Sequence, residues 1–275
     1  MSSVGSNNED KSIEKYHGES DVKAAYIEGL DSYAIKIASG FFNNPKLGLP
    51  SSNGLMILLD SQTGVVKSVL LDKGYLTDVR TAIAGAIAAK HLSNYDSTKA
   101  GIIGAGIQAK LQLEALTLVR KINTAYIWSR DSIKTNKFVE EINNLNVNLK
   151  VCSSAEEVLR KSEIVVTTTP SKSPLIKSDW LKKGLHITAM GSDAEQKNEL
   201  DPLTIKQCDL YVPDSLSQTA ILGELHHALE KNIVSSDNTY DELGNVILDS
   251  NLGRKSKDDI TICDLTGTGA QDTAI

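Results

Sequence analysis

A chain of 275 residues has room for one large or two modest domains, each with a packed core. Its formal net charge of −6, with no basic cluster, excludes nucleic-acid binding as a main role, because neutralising phosphates needs Lys and Arg gathered on one face. The three cysteines, Cys152, Cys208 and Cys263, lie outside metal-ligand spacing and read as reduced core thiols in a cytoplasmic protein, and no apolar run approaches the roughly 18 residues of a membrane span or forms a signal-peptide core.

Met1 to Ser20 is rich in Ser, Asn, Glu and Lys without periodicity and reads as a disordered or loosely held tail. Tyr33 to Gly40 alternates as a strand. Within it Lys36 sits among apolar neighbours, where a buried ammonium needs a partner; the alternative is a partly exposed strand lysine. Phe41 to Pro50 is a loop by its Asn, Gly and Pro content, and Gly54–Leu59 and Val65–Leu71 read as a hairpin joined by Asp60 to Gly64. Leu76 then opens an alanine-rich helix running to about His91, with Thr77 as its N-cap. Arg80 falls near the start of that helix, where a cation gains nothing from the macrodipole. Its planar fork suits a substrate carboxylate, and an ion pair with Asp78 is the plainer alternative.

From Thr98 onward short strands alternate with helices, the rhythm of a parallel sheet with helical crossovers. Ala100 to Ile103 empties into Gly104-Ala105-Gly106-Ile107-Gln108-Ala109, a G-x-G-x-x-A turn followed by helix to Val119 and a second strand, Thr124 to Trp128. In that context Gly104 makes the tight turn, Gly106 admits a pyrophosphate, and Ala109 lets helix and strand pack closely. The free N–H groups of the helix start suit a diphosphate. These residues predict a dinucleotide site. At the end of the second strand, where an acid selective for NAD would stand, the chain has Ser129 and Arg130; they favour a 2′-phosphate and hence NADP(H), against a solvent-facing arginine beside Asp131. Helices over Thr135–Asn143 and Ala155–Arg160 and strands over Leu149–Cys152 and Ser162–Thr168 continue the pattern. Thr168 and Thr169 give a hydroxyl-rich strand end of the kind that lines a nicotinamide pocket. The strand from His186 stops at Gly191 and delivers Asp193, Glu195, Lys197 and Glu199 into a loop, where open α/β sheets keep their chemistry. His226 and His227 adjoin each other on a helix over Leu222–Glu230, face different sides, and read as structural.

Taken together, Tyr33 to Lys36, the Asn44–Pro50 loop, Leu76 to Ala82, Gly104 to Gln108, Gly191 to Glu199 and the closing Asp264-Leu-Thr-Gly-Thr-Gly-Ala-Gln-Asp272 resemble the ornithine cyclodeaminase/mu-crystallin family. The Phe41–Lys46 loop and the Gly191–Leu200 segment are most similar to its members associated with ectoine utilisation. The resemblance runs from about Gly18 to the end and implies an α/β fold. In it, a Rossmann-type doubly wound parallel sheet over 97–255 is joined by a second, discontinuous α+β domain over 21–96 and 256–275 that dimerises and helps bind substrate. It implies an NAD(P)-dependent cyclodeaminase or imine or amino-acid oxidoreductase, or else a ligand-binding NADP(H) protein with little turnover. Carried over by position, Lys36 and Arg80 meet the substrate carboxylate, Asp193 is the acid/base at the substrate nitrogen, with Lys36 also placed at the reacting centre, and Lys197 lies near the substrate. No metal is implied. The chain departs from the family pattern in having no arginine before Arg80 to complete a carboxylate clamp, which is expected to weaken substrate binding.

Overall fold

The computed structural model describes Ile13, residues 16–142 and residues 145–275. Contacts divide the chain into two units, one made of the residues up to Arg80 together with Thr268–Ile275, the other of Thr81–Gly267. The sequence placed the boundaries at 96/97 and 255/256. They fall instead within the helix Tyr75–Leu92 and just after the last strand, because Ala84, Ala88 and Leu92 pack into a core with Val212 and Cys263 of the second unit.

The first unit is built on a four-stranded antiparallel sheet in the order β1 (Gly18–Ala25), β2 (Ser32–Phe41), β3 (Ser52–Asp60), β4 (Val66–Leu70). The proposed tail Met1–Ser20 lies largely outside the described residues, but Gly18 to Ser20 belong to β1, where pairing with β2 supplies the order that local composition does not. The β3–β4 hairpin forms where expected. Asp60 accepts from the Gln62 and Thr63 backbone N–H groups at 3.1 and 2.9 Å, and Gly64 takes φ +69°. A short helix, Gly269–Ala274, rests on β1 and β2, with Thr273 Oγ1 accepting from Ala34 N at 3.1 Å and donating to Ala25 O at 2.7 Å. The N-terminus of the helix Tyr75–Leu92 is held by Asp72, which accepts from Gly74 N and Leu76 N at 3.3 and 2.7 Å, and not by Thr77, which lies inside the helix.

In the second unit the strands follow as β5 (Lys99–Ile103), β6 (Thr124–Trp128), β7 (Asn148–Val151), β8 (Ile164–Thr167), β9 (Lys172–Ile176), β10 (His186–Ala189), β11 (Asn198–Leu200), β12 (Leu210–Pro213) and β13 (Thr261–Asp264). Seven of them form a parallel sheet in the order β12-β13-β10-β8-β5-β6-β7, and β9 pairs with β11 in parallel. β8 and β10 are buried along their whole length, as strands covered on both faces must be. One core lies around Val165, Ile187, Ile262 and Leu225, another around Ile102, Ile127, Leu113 and Ala109. Among the described residues no helix is long and apolar enough to cross a membrane.

Candidate cofactor and substrate sites

Reading the large sheet outward from β5, successive strands run to β6 and β7 on one side and to β8 and β10 on the other. The direction of winding therefore reverses between β5 and β8, and the carboxyl ends of these strands flank the crevice where open α/β sheets bind ligands. Gly104 follows β5 with φ +134°, a conformation that disfavours any side chain, and an added Cβ would come within 2.3 Å of Thr168 Oγ1 across the crevice. Gly106 differs. A Cβ there would meet nothing within 4 Å, so the backbone is open to an approaching group, and the helix Ile107–Val119 starts immediately after it. Ala109 is fully buried in the core beneath that helix, which explains the need for a small residue. The Gly104–Gln108 turn thus fits a nucleotide diphosphate. The hydroxyl donors of the crevice wall are spent internally: Thr168 Oγ1 donates to Ile103 O at 3.3 Å, and Thr169 gives both its N–H and its hydroxyl to Glu199, at 2.6 and 2.7 Å. These threonines shape the crevice and offer a ligand mainly acceptor lone pairs.

At the end of β6, Ser129 Oγ is held by the following turn, 3.0 Å from Asp131 O and 2.7 Å from Thr135 Oγ1. Asp131 caps the helix Ser132–Glu141, accepting from Ile133 N and Lys134 N at 3.0 and 3.1 Å. With that carboxylate committed to capping, Arg130 stands exposed with no ion pair among the described residues, available to an incoming anion.

Glu199 is the hub at the ends of β8 and β10. Fully buried, it accepts from Thr167 Oγ1 at 2.6 Å, from Thr169, and from Gly191 N at 2.8 Å. Burial pushes its carboxyl above the ordinary range, opposed by these hydrogen bonds. An added Cβ on Gly191 would come within 2.1 Å of Thr169 O and 2.7 Å of the Glu199 carboxyl carbon, so only glycine lets the two strand ends come this close. Behind Glu199 lie two more buried acids. Glu224 accepts from Asn198 Nδ2, Glu199 N and Leu200 N at 2.6, 2.8 and 3.1 Å, and Asp264 accepts from Tyr211 Oη and Glu224 N at 2.7 and 2.8 Å. Burial and the neighbouring Asp264 and Glu199 charges raise Glu224 well above its ordinary value, and burial, with help from Asp214, raises Asp264 to about 7. Sequence reasoning grouped Glu199 with a charged loop and did not anticipate this network. The available signal was an acid closing an otherwise apolar strand, Thr261-Ile-Cys-Asp264.

The rigid base presents Asp193. Its Oδ1 lies 2.7 Å from Lys197 Nζ, with the Asp193 side chain 37% exposed and the Lys197 side chain 7%. Lys197, expected near the substrate, gives its ammonium to Asp193, and through that carboxylate it can act on a substrate. The Lys197 carbonyl in turn accepts from Ser192 Oγ at 2.5 Å and from His227 Nε2 at 2.7 Å.

In the first unit the structure brings Lys36 and Arg80 together on a residue not assigned from the sequence, Asp272 of the terminal helix. Lys36 Nζ lies 2.9 and 3.1 Å from the two Asp272 carboxylate oxygens, and Arg80 Nε lies 2.8 Å from Oδ1. Arg80 also donates to Gln271 Oε1 at 3.3 Å. Lys36 is 2% exposed, which settles its two readings in favour of the buried, partnered ammonium. Desolvation, reinforced by Arg80 and opposed by Asp272, lowers its pKa to about 8. Two cations sharing one carboxylate leave a positive excess in a nearly dry place, where a second carboxylate would be attracted strongly.

Comparison with known proteins agrees with these features. A family model described as "Ornithine cyclodeaminase/mu-crystallin family" matches residues 8–275. An uncharacterized cyclodeaminase of Sinorhizobium fredii is 57% identical over 260 residues, covering 94% of this chain and 78% of its own. The solved structure of Delta(1)-pyrroline-2-carboxylate reductase from Thermococcus litoralis, in complex with NADH and L-proline, matches with a TM-score of 0.89 at 30% identity, covering 95% of this chain and 81% of that one. An archaeal alanine dehydrogenase dimer with bound NAD matches with a TM-score of 0.82 at 32% identity, covering 96% and 84%.

Proposed function

The chain belongs to the ornithine cyclodeaminase/mu-crystallin family, and from that premise we propose that it is a nicotinamide-dependent enzyme of a small α-amino or α-imino acid, either reducing the imine, oxidising the amine, or linking both steps in a cyclodeamination. The observation that carries this reading is the pair of cations, buried Lys36 and largely covered Arg80, sharing the single carboxylate of Asp272. In it, Lys36 and Arg80 hold the substrate carboxylate, and the turn Gly104–Gln108 holds the diphosphate of the nucleotide. When bound, the nicotinamide supplies or accepts the hydride at the nitrogen-bearing carbon. Asp193 gives a proton to the substrate nitrogen as the C=N bond is reduced, and takes one from it in the reverse direction. Lys197 keeps that carboxylate oriented.

The exposed Arg130, free of Asp131, supports NADP(H) as the preferred nucleotide. Resemblance of the Phe41–Lys46 loop supports a substrate from ectoine breakdown. Homodimerisation is supported by the apolar exposure of the sheet edge, where Val65, Val66 and Val69 are 62%, 54% and 54% exposed. A second reading, nucleotide and ligand binding without turnover, draws on Asp272 already occupying both cations.

Asp193→Asn tests the catalytic reading. It keeps size and much of the hydrogen bonding while removing the titrating group, so kcat should fall about 10²- to 10⁴-fold with little change in nucleotide affinity. Turnover is followed by nicotinamide absorbance against a panel of cyclic and acyclic imino and amino acids. A variant as fast as wild type on its substrate would remove Asp193 from the chemistry, and a wild type that binds nucleotide yet turns over no member of the panel would favour the second reading.

A further inference from the structure

The helix Gly223–Glu230 carries His226, His227 and Glu230, a group that the chemistry above does not use. Neighbouring helix residues are turned about 100° apart, so the two imidazoles alone share no row, which is why sequence assigned them structural roles. Glu230 changes the geometry. It follows His226 by four residues and His227 by three, and one turn along the helix it stands between their two directions. One potential ligand atom from each of the three residues lies within 4.8 Å of the others, with both histidines half-buried and Glu230 exposed. The rings meet edge to face, their centroids 5.1 Å apart.

His227 is also oriented from behind. Its Nε2 lies 2.7 Å from the Lys197 carbonyl oxygen, which can only accept, so Nε2 carries the proton and Nδ1 of the neutral ring keeps its lone pair. A ring N–H given to a backbone carbonyl is the outer hydrogen bond that metal-bound histidines make. Among the described residues, the side chains of His226 and Glu230 make no hydrogen bond or ion pair that would compete for their donor atoms.

We propose that His226, His227 and Glu230 form a binding site for a divalent transition-metal ion, with zinc the ion best matched to two imidazole nitrogens and one carboxylate oxygen, and solvent completing the shell. Bond lengths of about 2.0–2.1 Å set the ligand atoms of a tetrahedral zinc about 3.3 Å apart. The three ligand atoms lie within 4.8 Å of one another, so closing on an ion takes side-chain rotation in the histidines as well as in the exposed Glu230. Because the Lys197 carbonyl also accepts from Ser192, a bound ion would fasten the helix to the segment that presents Asp193.

The full chain, stripped with chelator, is titrated with zinc chloride by calorimetry and, separately, with cobalt chloride to follow the visible absorption of a low-symmetry site. One ion per chain is expected. Affinity should fall at least about tenfold in His226→Ala and in Glu230→Gln, and stay unchanged in His91→Ala and Cys208→Ser, which remove other potential ligands. Glu230→Gln alters an exposed position and keeps the test sound should His226→Ala fold poorly. Absence of saturable binding at sub-millimolar zinc, or binding undiminished in both His226→Ala and Glu230→Gln, would overturn the site. Neither readout uses turnover, so the outcome is independent of the proposed reaction.

Discussion

Lys36→Met is expected to make the protein more stable and its substrate binding worse. The ammonium of Lys36 is 2% exposed and its pKa falls from 10.5 to about 8, which corresponds to about 3 kcal/mol subtracted from folding by burying the charge. Methionine keeps an unbranched stem of similar volume without the charge. Asp272 loses one partner but keeps Arg80 at 2.8 Å, so part of that gain is offset and about 1 to 3 kcal/mol should remain at pH 7. At about 2–4 °C per kcal/mol, the melting temperature should rise by several degrees. The pH dependence identifies the cause. Between about 8 and 10.5 the unfolded lysine binds a proton that the folded one does not, so wild-type stability recovers as pH rises through that window. The advantage of the variant should therefore be full below pH 8 and gone above about 10.5. Thermal and urea denaturation at pH 7 and near pH 10 measure it. A variant less stable than wild type at pH 7, or a difference that does not change with pH, would refute a costly buried ammonium. In turnover, loss of a charged hydrogen bond to substrate, about 1.5–3 kcal/mol, should appear as a 10- to 150-fold loss in kcat/KM.

Other substitutions test other parts. Gly106→Val should leave the melting temperature nearly unchanged, since its Cβ meets open space, yet abolish nucleotide binding; unchanged affinity by fluorescence titration would remove the diphosphate from this turn. The corresponding change at Gly104 is a poorer probe, because φ +134° and the nearby Thr168 hydroxyl would strain the fold itself. Arg130→Ala should weaken NADPH at least about tenfold more than NADH, and equal losses would return Arg130 to the surface. Tyr211→Phe removes the hydroxyl donor from Asp264 and should cost about 1.5–3 kcal/mol in urea unfolding at neutral pH, with the loss shrinking below the folded-state pKa of about 7 as the carboxyl protonates. A loss of equal size at pH 5 and pH 8 would contradict this.

Local chemistry in the sequence determined the parts of this protein that depend on nearest neighbours. Asp60 to Gly64 specified a hairpin turn, the alanine run specified a closely packing helix, and Gly104 to Ala109 specified a strand-to-helix turn open to phosphate, because each depends on backbone freedom and side-chain volume within a few residues. Motif order along the chain was enough to indicate the family. Tertiary structure decided whatever depends on partners distant in sequence. Asp272 reaches Lys36 across 236 positions, so nothing near either residue announced that Lys36 and Arg80 share one carboxylate. Burial likewise changed the meaning of acids that look alike in the sequence: Glu199 and Asp193 both fall in one charged stretch, yet backbone and hydroxyl donors converge on Glu199 as a buried anchor while Asp193 is left 37% exposed beside Lys197. The same holds for strand β1, whose polar residues carry no pattern of their own and are ordered by the ladder β2 offers and by the terminal helix that rests on it. Charge and desolvation act through space, and the sequence records only the residues on which they act.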